Sequence, residues 1–291
     1  MKPADIFLAT LVAVIWGLGF VASRLALDEL PTTLMTTLRF AIAAVPCLFV
    51  RKPDVSWPLL IAISATLFLG QFLAQAFGIA HGVPVGLASV IVQSQALFTV
   101  AFAVIAFGET PTRLQVTGIA VAACGLLMIC GTVGYDFSVS AFAVLMISPI
   151  VFAIGNLLLR RAREVPMFDL FAWLCLASAV PLAVLTLMVD GPRMVWHSVV
   201  NMSLTGVVSI LSIGAITTSI AYWLWGRLLR DHTAAQVVPF ALLVPFVGAA
   251  ASSLVFGERF GPLRLAGMVT VVCGIAVMLL SGRTRSVPEI A

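Results

Sequence analysis

Two glutamates stand out because each occurs in the same short phrase between long apolar runs. The phrase reads FGETPTRLQVTG at residues 107–118 and FGERFGPLRLAG at residues 256–267. A carboxylate in such an apolar setting could act as a general acid or base. However, the glycines beside Glu258 permit a tight turn, and Pro262 suits the first position of a following helix, whose N-terminus is positive. We therefore predict that Glu109 and Glu258 have a structural role in turns and helix caps.

A second group of polar side chains lies inside the apolar runs, where polar groups are costly and tend to face a cavity or a neighbouring helix. Gln71 and Gln75 are one helical turn apart and so share a face. Gln93 and Asn156 lie in two further runs. Each amide could bond between packed helices, but glutamines in adjacent runs together favour a polar cavity wall. We predict that these four residues bind a small-molecule substrate.

Two aromatic residues belong to the same predicted site. Trp16 lies near the middle of the first apolar run, where the face of its ring could hold a substrate ammonium group by cation–π attraction. Tyr222 lies nearer the end of a later run, beside Trp223. A place in the aromatic belt at the membrane surface is the alternative, and it is the stronger interpretation for Trp223.

Arg39 is the one basic residue well inside an apolar run. Its side chain could extend to the membrane surface. Alternatively, its planar fork could clamp a substrate carboxylate or protein carbonyls. A structural role is predicted, because no neighbouring run offers an acidic partner.

The composition shows which elements must position these residues. Of the 291 residues, 62% are apolar and 10% are charged, whereas a soluble domain carries about 25% charged residues. The chain is therefore expected to lie in a lipid bilayer as an all-α membrane protein. Turn-forming or charged clusters divide it into ten spans of suitable length: 6–27, 33–50, 57–80, 85–107, 114–130, 140–159, 169–189, 204–226, 234–256 and 262–281.

Basic residues mark one face of this predicted bundle. Eleven of the sixteen lysines and arginines fall at the termini and in alternate loops: Lys2, Arg51, Lys52, Arg113, Arg160, Arg161, Arg163, Arg227, Arg230, Arg283 and Arg285. Since positive charge favours the cytoplasmic side, both termini are predicted to be cytoplasmic, with the chain in the cell membrane. No basic cluster is interleaved with aromatic residues, so a nucleic-acid partner is not expected.

The chain also repeats itself. Residues 107–125 align without a gap on residues 256–274, 149 positions later, with seven identities in nineteen. A weaker similarity relates residues 16–24 to residues 152–160, at a spacing of 136. We predict two halves of five spans, residues 1–134 and 135–291. Because five is odd, the second half must enter the membrane from the opposite side, which predicts an inverted repeat around a central cavity.

Two prolines distinguish the ninth span. Pro239 and Pro245 each remove a backbone donor and leave the carbonyl four residues earlier without its usual partner, which kinks a helix. We predict that they act as hinges or gates. The fourth span, which is the counterpart in the repeat, has only Pro84 at its start, so the two halves are expected to differ here.

These motifs resemble a known group of membrane proteins. Trp16–Gly17, Arg39–Phe40 and the paired FGE…G…CG endings are similar to the drug/metabolite transporter superfamily, and within it to EamA-type ten-helix exporters, including YddG-like amino-acid exporters. The resemblance covers essentially the whole chain. It implies ten helices around a central cavity and export of amino acids or similar small metabolites. The inverted repeat predicts alternating access through that cavity, and we expect a monomer or weak homodimer.

The chemistry of transport follows from what the spans lack. No predicted span holds a carboxylate at mid-depth, where a proton-coupled carrier usually needs one. Uncoupled or exchange-type movement is therefore predicted, and the alternatives are a proton-coupled exporter of drugs or cationic compounds, a channel, or a structural membrane subunit. Five scattered cysteines and the lack of an HExxH motif or paired aspartates predict no metal, no cofactor and no enzymatic activity.

Overall fold

The computed structural model describes residues 1–134, 137–162 and 165–280, and all regular structure in these segments is helical. In this part of the chain, nine helices are long and apolar enough to cross a membrane, and a shorter apolar helix, Thr32–Leu48, makes the predicted tenth. The ten spans are Pro3–Leu27, Thr32–Leu48, Trp57–Ala80, Val85–Phe107, Arg113–Cys130, Val139–Leu159, Met167–Val189, Leu204–Asp231, a ninth from Ala234 to Phe256, and Pro262–Leu280. The all-α class is confirmed.

The surface of the bundle has the character expected of a lipid-facing one. Large apolar side chains such as Leu48, Ile105 and Leu254 are more than three-quarters exposed, which a soluble protein could not sustain over so many positions. Inside the bundle, one large apolar cluster joins spans one, three, four, five, six, nine and ten. A second joins spans two, three and seven.

Four spans are interrupted, and the interruptions occur in pairs. Spans three and eight contain π-helical stretches, Ser64–Gly70 and Ser212–Ile220. Span four breaks between Val85–Val92 and Gln95–Phe107, whereas span nine tightens into a 3-10 turn at Val238–Leu242. Within each pair the two positions are about 149 residues apart, the spacing of the sequence repeat.

The break in span four corrects the expectation that only span nine is interrupted. Span four has no internal proline to cause it. Instead, the hydroxyl of Ser94 donates to the carbonyl of Ile91 over 2.7 Å, and the N–H of Gln93 bonds three residues back to Val90. Such local bonds compete with the regular helical ladder, so a serine here has the effect that proline has in span nine.

Spans five and ten cross closely through paired glycines. A Cβ atom on Gly118 would lie 2.6 Å from the carbonyl oxygen of Gly274, and one on Gly125 would lie 2.7 Å from that of Gly267. Gly118 is the repeat counterpart of Gly267, and Gly125 is that of Gly274. The same contact thus occurs twice with the partners exchanged, which is the pattern that a two-fold axis produces.

One helix was not predicted. Gly191–Val200 lies between spans seven and eight, and its Trp196 and Met194 side chains are mostly exposed. Its sequence, GPRMVWHSVV, is too short and too polar to register as an apolar run. This insertion accounts for the change in repeat spacing from 136 to 149 between the early and late spans.

Candidate functional site

A cavity lies between spans two, three, seven and eight. Its lining includes Ala43, Phe68, Phe171, Cys175, Thr218 and Tyr222. Most of these residues come from the end of span two, the start of span seven and the second half of span eight. The first cavity therefore lies toward the face of the bundle that carries the N-terminus, which we call the N-side.

Aromatic rings surround Tyr222: those of Phe68 and Phe171 line the first cavity with it, whereas Trp16 packs against Tyr222 and is not part of the lining. The centroid of the Tyr222 ring lies 5.1 Å from that of Phe171, 5.9 Å from that of Phe68 and 5.5 Å from that of Trp16. The indole nitrogen of Trp16 donates to the carbonyl of Thr217 over 3.2 Å. The structure thus brings the two predicted aromatic residues together and adds two phenylalanines, which nothing distinguished in the sequence from other apolar residues.

A second cavity lies between the middle of span four and the N-side halves of spans nine and ten. Gln93 lines it, and the side-chain amide of Gln93 donates to the carbonyl of Ala241 over 2.9 Å. Ala241 precedes Pro245 by four residues. Its carbonyl is the one that the proline leaves without a helical partner, so Gln93 of one half bonds the carbonyl freed in the other. Pro239 lies in the adjoining 3-10 turn.

Three predicted substrate residues lie elsewhere. Gln71 and Gln75 are buried, with exposed fractions of 4% and 5%, and the Gln71 amide oxygen has no hydrogen-bond partner in the described part of the chain. The Asn156 amide donates to the Thr99 hydroxyl over 3.3 Å and so links spans six and four. None of the three lines either of the two cavities.

Arg39 is buried, with 5% of its surface exposed, and does not extend to the membrane surface. Its Nε–H donates to the hydroxyl oxygen of Thr218 over 3.0 Å. Its guanidinium carbon lies 3.9 Å from the centroid of the Phe72 ring. Span two thus holds a cation in the interior of the bundle, beside a residue of the first cavity.

The side opposite the N-side is closed by Glu258. The backbone N–H groups of Val85 and Gly86, which begin span four, donate to the two carboxylate oxygens of Glu258 over 2.6 and 3.0 Å. The expectation of a cap on the helix that follows Glu258 is therefore wrong. The turn at Gly257 places the carboxylate against another helix, whose free N–H groups and positive end attract it.

Close packing continues from this cap into the bundle. A Cβ atom on Gly86 would lie 2.8 Å from the Cα atom of Ala249, and one on Gly248 would lie 2.6 Å from the hydroxyl of Ser89. Spans four and nine therefore touch in their outer halves. Farther from this cap, the second cavity lies beside the hydrogen bond that joins Gln93 of span four to Ala241 of span nine.

Glu109 has a different partner. Its carboxylate forms an ion pair with Arg160 of span six, with an N–O distance of 2.7 Å, and remains about half exposed. Span five, which follows Glu109, is capped by the side chains of Thr112 and Gln115. The predicted capping role of Glu109 is therefore not observed, because a threonine nearer the helix already occupies that position.

Two contacts at the closed face involve residues that the sequence did not indicate. The backbone N–H of Ser203, at the start of span eight, donates to Glu29 over 2.7 Å, and the Ser203 hydroxyl also donates to it. The bonds from the Ser203 hydroxyl and backbone lower the pKa of the Glu29 carboxyl below its usual value. Thr33 of span two bonds Asp190 at the end of span seven.

Comparison with known proteins identifies what the chain is similar to. The EamA-like transporter family matches residues 4–131 and 139–280. A probable amino-acid metabolite efflux pump of Salmonella typhimurium (strain LT2) is 32% identical over 100% of both chains. The protein of the same description from Escherichia coli (strain K12) is 31% identical, over 100% of this chain and 99% of that one.

More distant proteins give the same picture. A probable terminal-alkyne amino-acid exporter of Streptantibioticus cattleyicolor is 28% identical over 94% of this chain and 92% of its own. A crystal structure shares the fold, with a TM-score of 0.67 over 98% of this chain and 99% of that chain at 17% identity.

Proposed function

Since the chain belongs to the EamA-like transporter family, we propose that it exports amino acids or related small metabolites across the cytoplasmic membrane. The names of its relatives from Salmonella typhimurium, Escherichia coli and Streptantibioticus cattleyicolor support this substrate class. The aromatic first cavity would bind the substrate, with Trp16 and Tyr222 among the contacts. Both termini are expected to be cytoplasmic, so that the N-side faces the cytoplasm.

The protein works by alternating access between two inverted halves. One observation carries this proposal: spans four and nine pack closely in their outer halves and border a cavity nearer the middle of the bundle, beside the hydrogen bond from Gln93 to Ala241. This is the arrangement of a carrier that is closed outside and accessible inside. The reciprocal glycine contacts of spans five and ten support a two-fold relation between the halves.

The repeat itself specifies what the opposite state looks like. The 149-residue spacing relates Glu258 to Glu109, and it relates Val85 and Gly86 to Ala234 and Ala235, the first residues of span nine. In the outward-open state, Glu109 therefore leaves Arg160 and accepts hydrogen bonds from the backbone of Ala234 and Ala235. Glu258 releases span four and pairs with Arg24, which is the repeat counterpart of Arg160.

Movement of substrate is uncoupled or of the exchange type. Among the residues that the structure describes, the buried charged side chains are Arg39 and Arg264, and no aspartate or glutamate is buried. A carrier driven by protons needs a titratable group that both faces can reach in turn. The proton-coupled export of cationic compounds is the alternative.

Counterflow in proteoliposomes tests the proposal. Vesicles loaded with an unlabelled amino acid should accumulate the radiolabelled form transiently, for at least one member of an amino-acid panel. Trp16→Ala should reduce this flux about tenfold through lost ring contacts, whereas Trp196→Ala, on the exposed helix after span seven, should not. Uphill accumulation under a pH gradient alone would establish proton coupling instead, and flux without acceleration by trans substrate would indicate a channel.

A further inference from the structure

Arg39 carries a charge that the fold does not neutralise. In the described segments no carboxylate forms an ion pair with it, since the ion pairs there involve other residues. The Nε–H group of Arg39 donates a hydrogen bond to the neutral hydroxyl of Thr218. That hydroxyl in turn donates to the carbonyl of Ile213 over 2.7 Å. Thr218 is therefore held as an acceptor, and it orients the guanidinium without supplying negative charge.

The planar group of Arg39 has one covered face and two free amino groups. The ring of Phe72 lies against the guanidinium, which leaves its edge available for hydrogen bonds. No described residue accepts a bond from the two terminal amino groups. Leaving a buried cation without a counter-ion is costly in a membrane, so this arrangement is explained best if an anion binds there during the transport cycle.

Arg39 also lies next to the first cavity. It precedes Ala43 by four residues and so shares a helix face with it, one turn farther from the N-side. Ala43 lines the cavity, as does Thr218, the hydrogen-bond partner of Arg39. Arg39 itself does not line the cavity, and its guanidinium lies behind Thr218, next to the walls that Phe68, Phe171 and Tyr222 form.

We propose that Arg39 binds the carboxylate of the exported substrate, which makes the substrates α-amino acids or other small carboxylates with an apolar side chain. The two free amino groups match a carboxylate in bidentate geometry. The aromatic walls receive the side chain. This inference rests on the proposed export function and replaces the structural role predicted for Arg39.

The repeat shows that this site occurs once in the carrier. The spacing of 136 that relates Arg24 to Arg160 also relates Arg39 to Cys175. Cys175 lines the same cavity from span seven. One half thus supplies a cation and the other a neutral thiol, so that a single carboxylate binds between the halves.

The wild-type protein tests the proposal without any substitution. Thermal stabilisation of the purified protein would be measured with L-phenylalanine, its amide and phenethylamine, which differ at the carboxylate. L-Phenylalanine should stabilise the protein, and the two compounds without a carboxylate should not. Equal stabilisation by all three would overturn the assignment of Arg39.

Variants then assign the effect to Arg39. Arg39→Gln should raise the KM for L-phenylalanine counterflow about 10- to 100-fold, as expected for the loss of hydrogen bonds to a charged group. Arg39→Lys should recover part of the loss, because it retains the charge without the fork. Arg264→Gln, at the other buried arginine, should leave the preference for the acid over the amide unchanged.

The outcomes separate this inference from the function on which it rests. If the wild type transports neither L-phenylalanine nor any other amino acid, the proposed function fails. If it transports L-phenylalanine and its amide equally, or if Arg39→Gln retains the preference for the acid, export stands and the role of Arg39 is wrong. Should Arg39→Gln not fold, Thr218→Val, which removes the acceptor that orients the guanidinium, must weaken the same preference.

Discussion

Spans four and nine both lead into the sequence Phe-Gly-Glu, yet the two glutamates have different partners. Gly108 and Gly257 have nearly the same left-handed conformation, with φ angles of 63° and 68°, so the chain turns alike at both places. Glu258 then caps the start of span four, whereas Glu109 pairs with an exposed arginine. Local sequence thus sets the turn, and the packing of the halves decides what each carboxylate contacts.

A second comparison shows where this asymmetry resides. Spans five and ten repeat their glycine contacts with the partners exchanged, while spans four and nine pack closely in their outer halves and border a cavity where Gln93 meets Ala241. We infer that the crossing of spans five and ten is a fixed frame and that spans four and nine move against it. The four predictions below test this distinction between a fixed frame and moving spans.

The largest effect is expected at the frame. A side chain at Gly274 would begin 2.4 Å from the backbone nitrogen of Ala122, so Gly274→Leu should separate the two spans and destabilise the protein by about 3 kcal/mol. The melting temperature in detergent and the yield of monodisperse protein measure this. Gly131 lies at the end of span five, and a Cβ atom there would be 3.4 Å from its nearest neighbour. Gly131→Ala should therefore behave like the wild type.

Glu258→Ala should open the closed face. It removes two charge-assisted hydrogen bonds, which together contribute about 2 kcal/mol at this partly exposed site. The ratio of the outward-open state to the observed state should therefore rise about thirtyfold. A cysteine at Ser89, which is buried between spans four and nine, should then react faster with a maleimide in a background without native cysteines. Glu109→Ala is the matched control, and it should slow the reaction, because the two backbone hydrogen bonds proposed for Glu109 in the outward-open state outweigh the ion pair with Arg160 that the observed state loses.

Arg160→Gln should change the same equilibrium less. Its ion pair with Glu109 is substantially exposed, and such pairs contribute about 0.2–1 kcal/mol. Labelling at position 89 should increase by about fivefold or less, since the observed state loses one contact. The neighbouring Arg161→Gln should have no effect, and an equal response to both changes would rule out a specific role for the pair.

The smallest effect is expected at Glu29. Hydrogen bonds from Ser203 lower the pKa of this carboxyl from 4.5, so the stability they contribute is fully present above pH 4.5 and is lost as the pH falls through the folded-state value. Between pH 6 and pH 3.5, the melting temperature of the wild type should fall slightly more than that of Glu29→Gln. Identical losses would show that the contact has no influence on stability.

Much of the fold could be predicted from the sequence, because lipid imposes strong rules on composition. The ten spans, the duplication and the glycine of each FGE turn follow from apolar length and local backbone chemistry. Val85, a partner of Glu258, lies 173 residues away, and no local rule identifies it. The break at Ser94 was missed because a serine, unlike a proline, does not require one.

The site was harder to predict than the fold. Trp16, Tyr222 and Gln93 were singled out because aromatic and amide groups are conspicuous inside apolar runs; Tyr222 and Gln93 line the cavities, and the substrate-binding role of all three stays a prediction. Phe68 and Phe171 were missed, since an apolar ring facing a cavity has the same sequence signature as one facing lipid. Arg39 was recognised, but the cavity beside it became evident only from the packing of spans two, three, seven and eight.

The central claim is that opening the outer face closes the N-side face. It is tested most directly by placing a cysteine at Ser219, in the first cavity, and measuring its labelling with and without Glu258→Ala. In detergent, where both faces are accessible, maleimide labelling at position 219 should fall while labelling at position 89 rises, because opening one face closes the other. If labelling rises at 89 and stays unchanged or also rises at 219, Glu258 secures only a local contact, and the account of two exchanging halves is wrong.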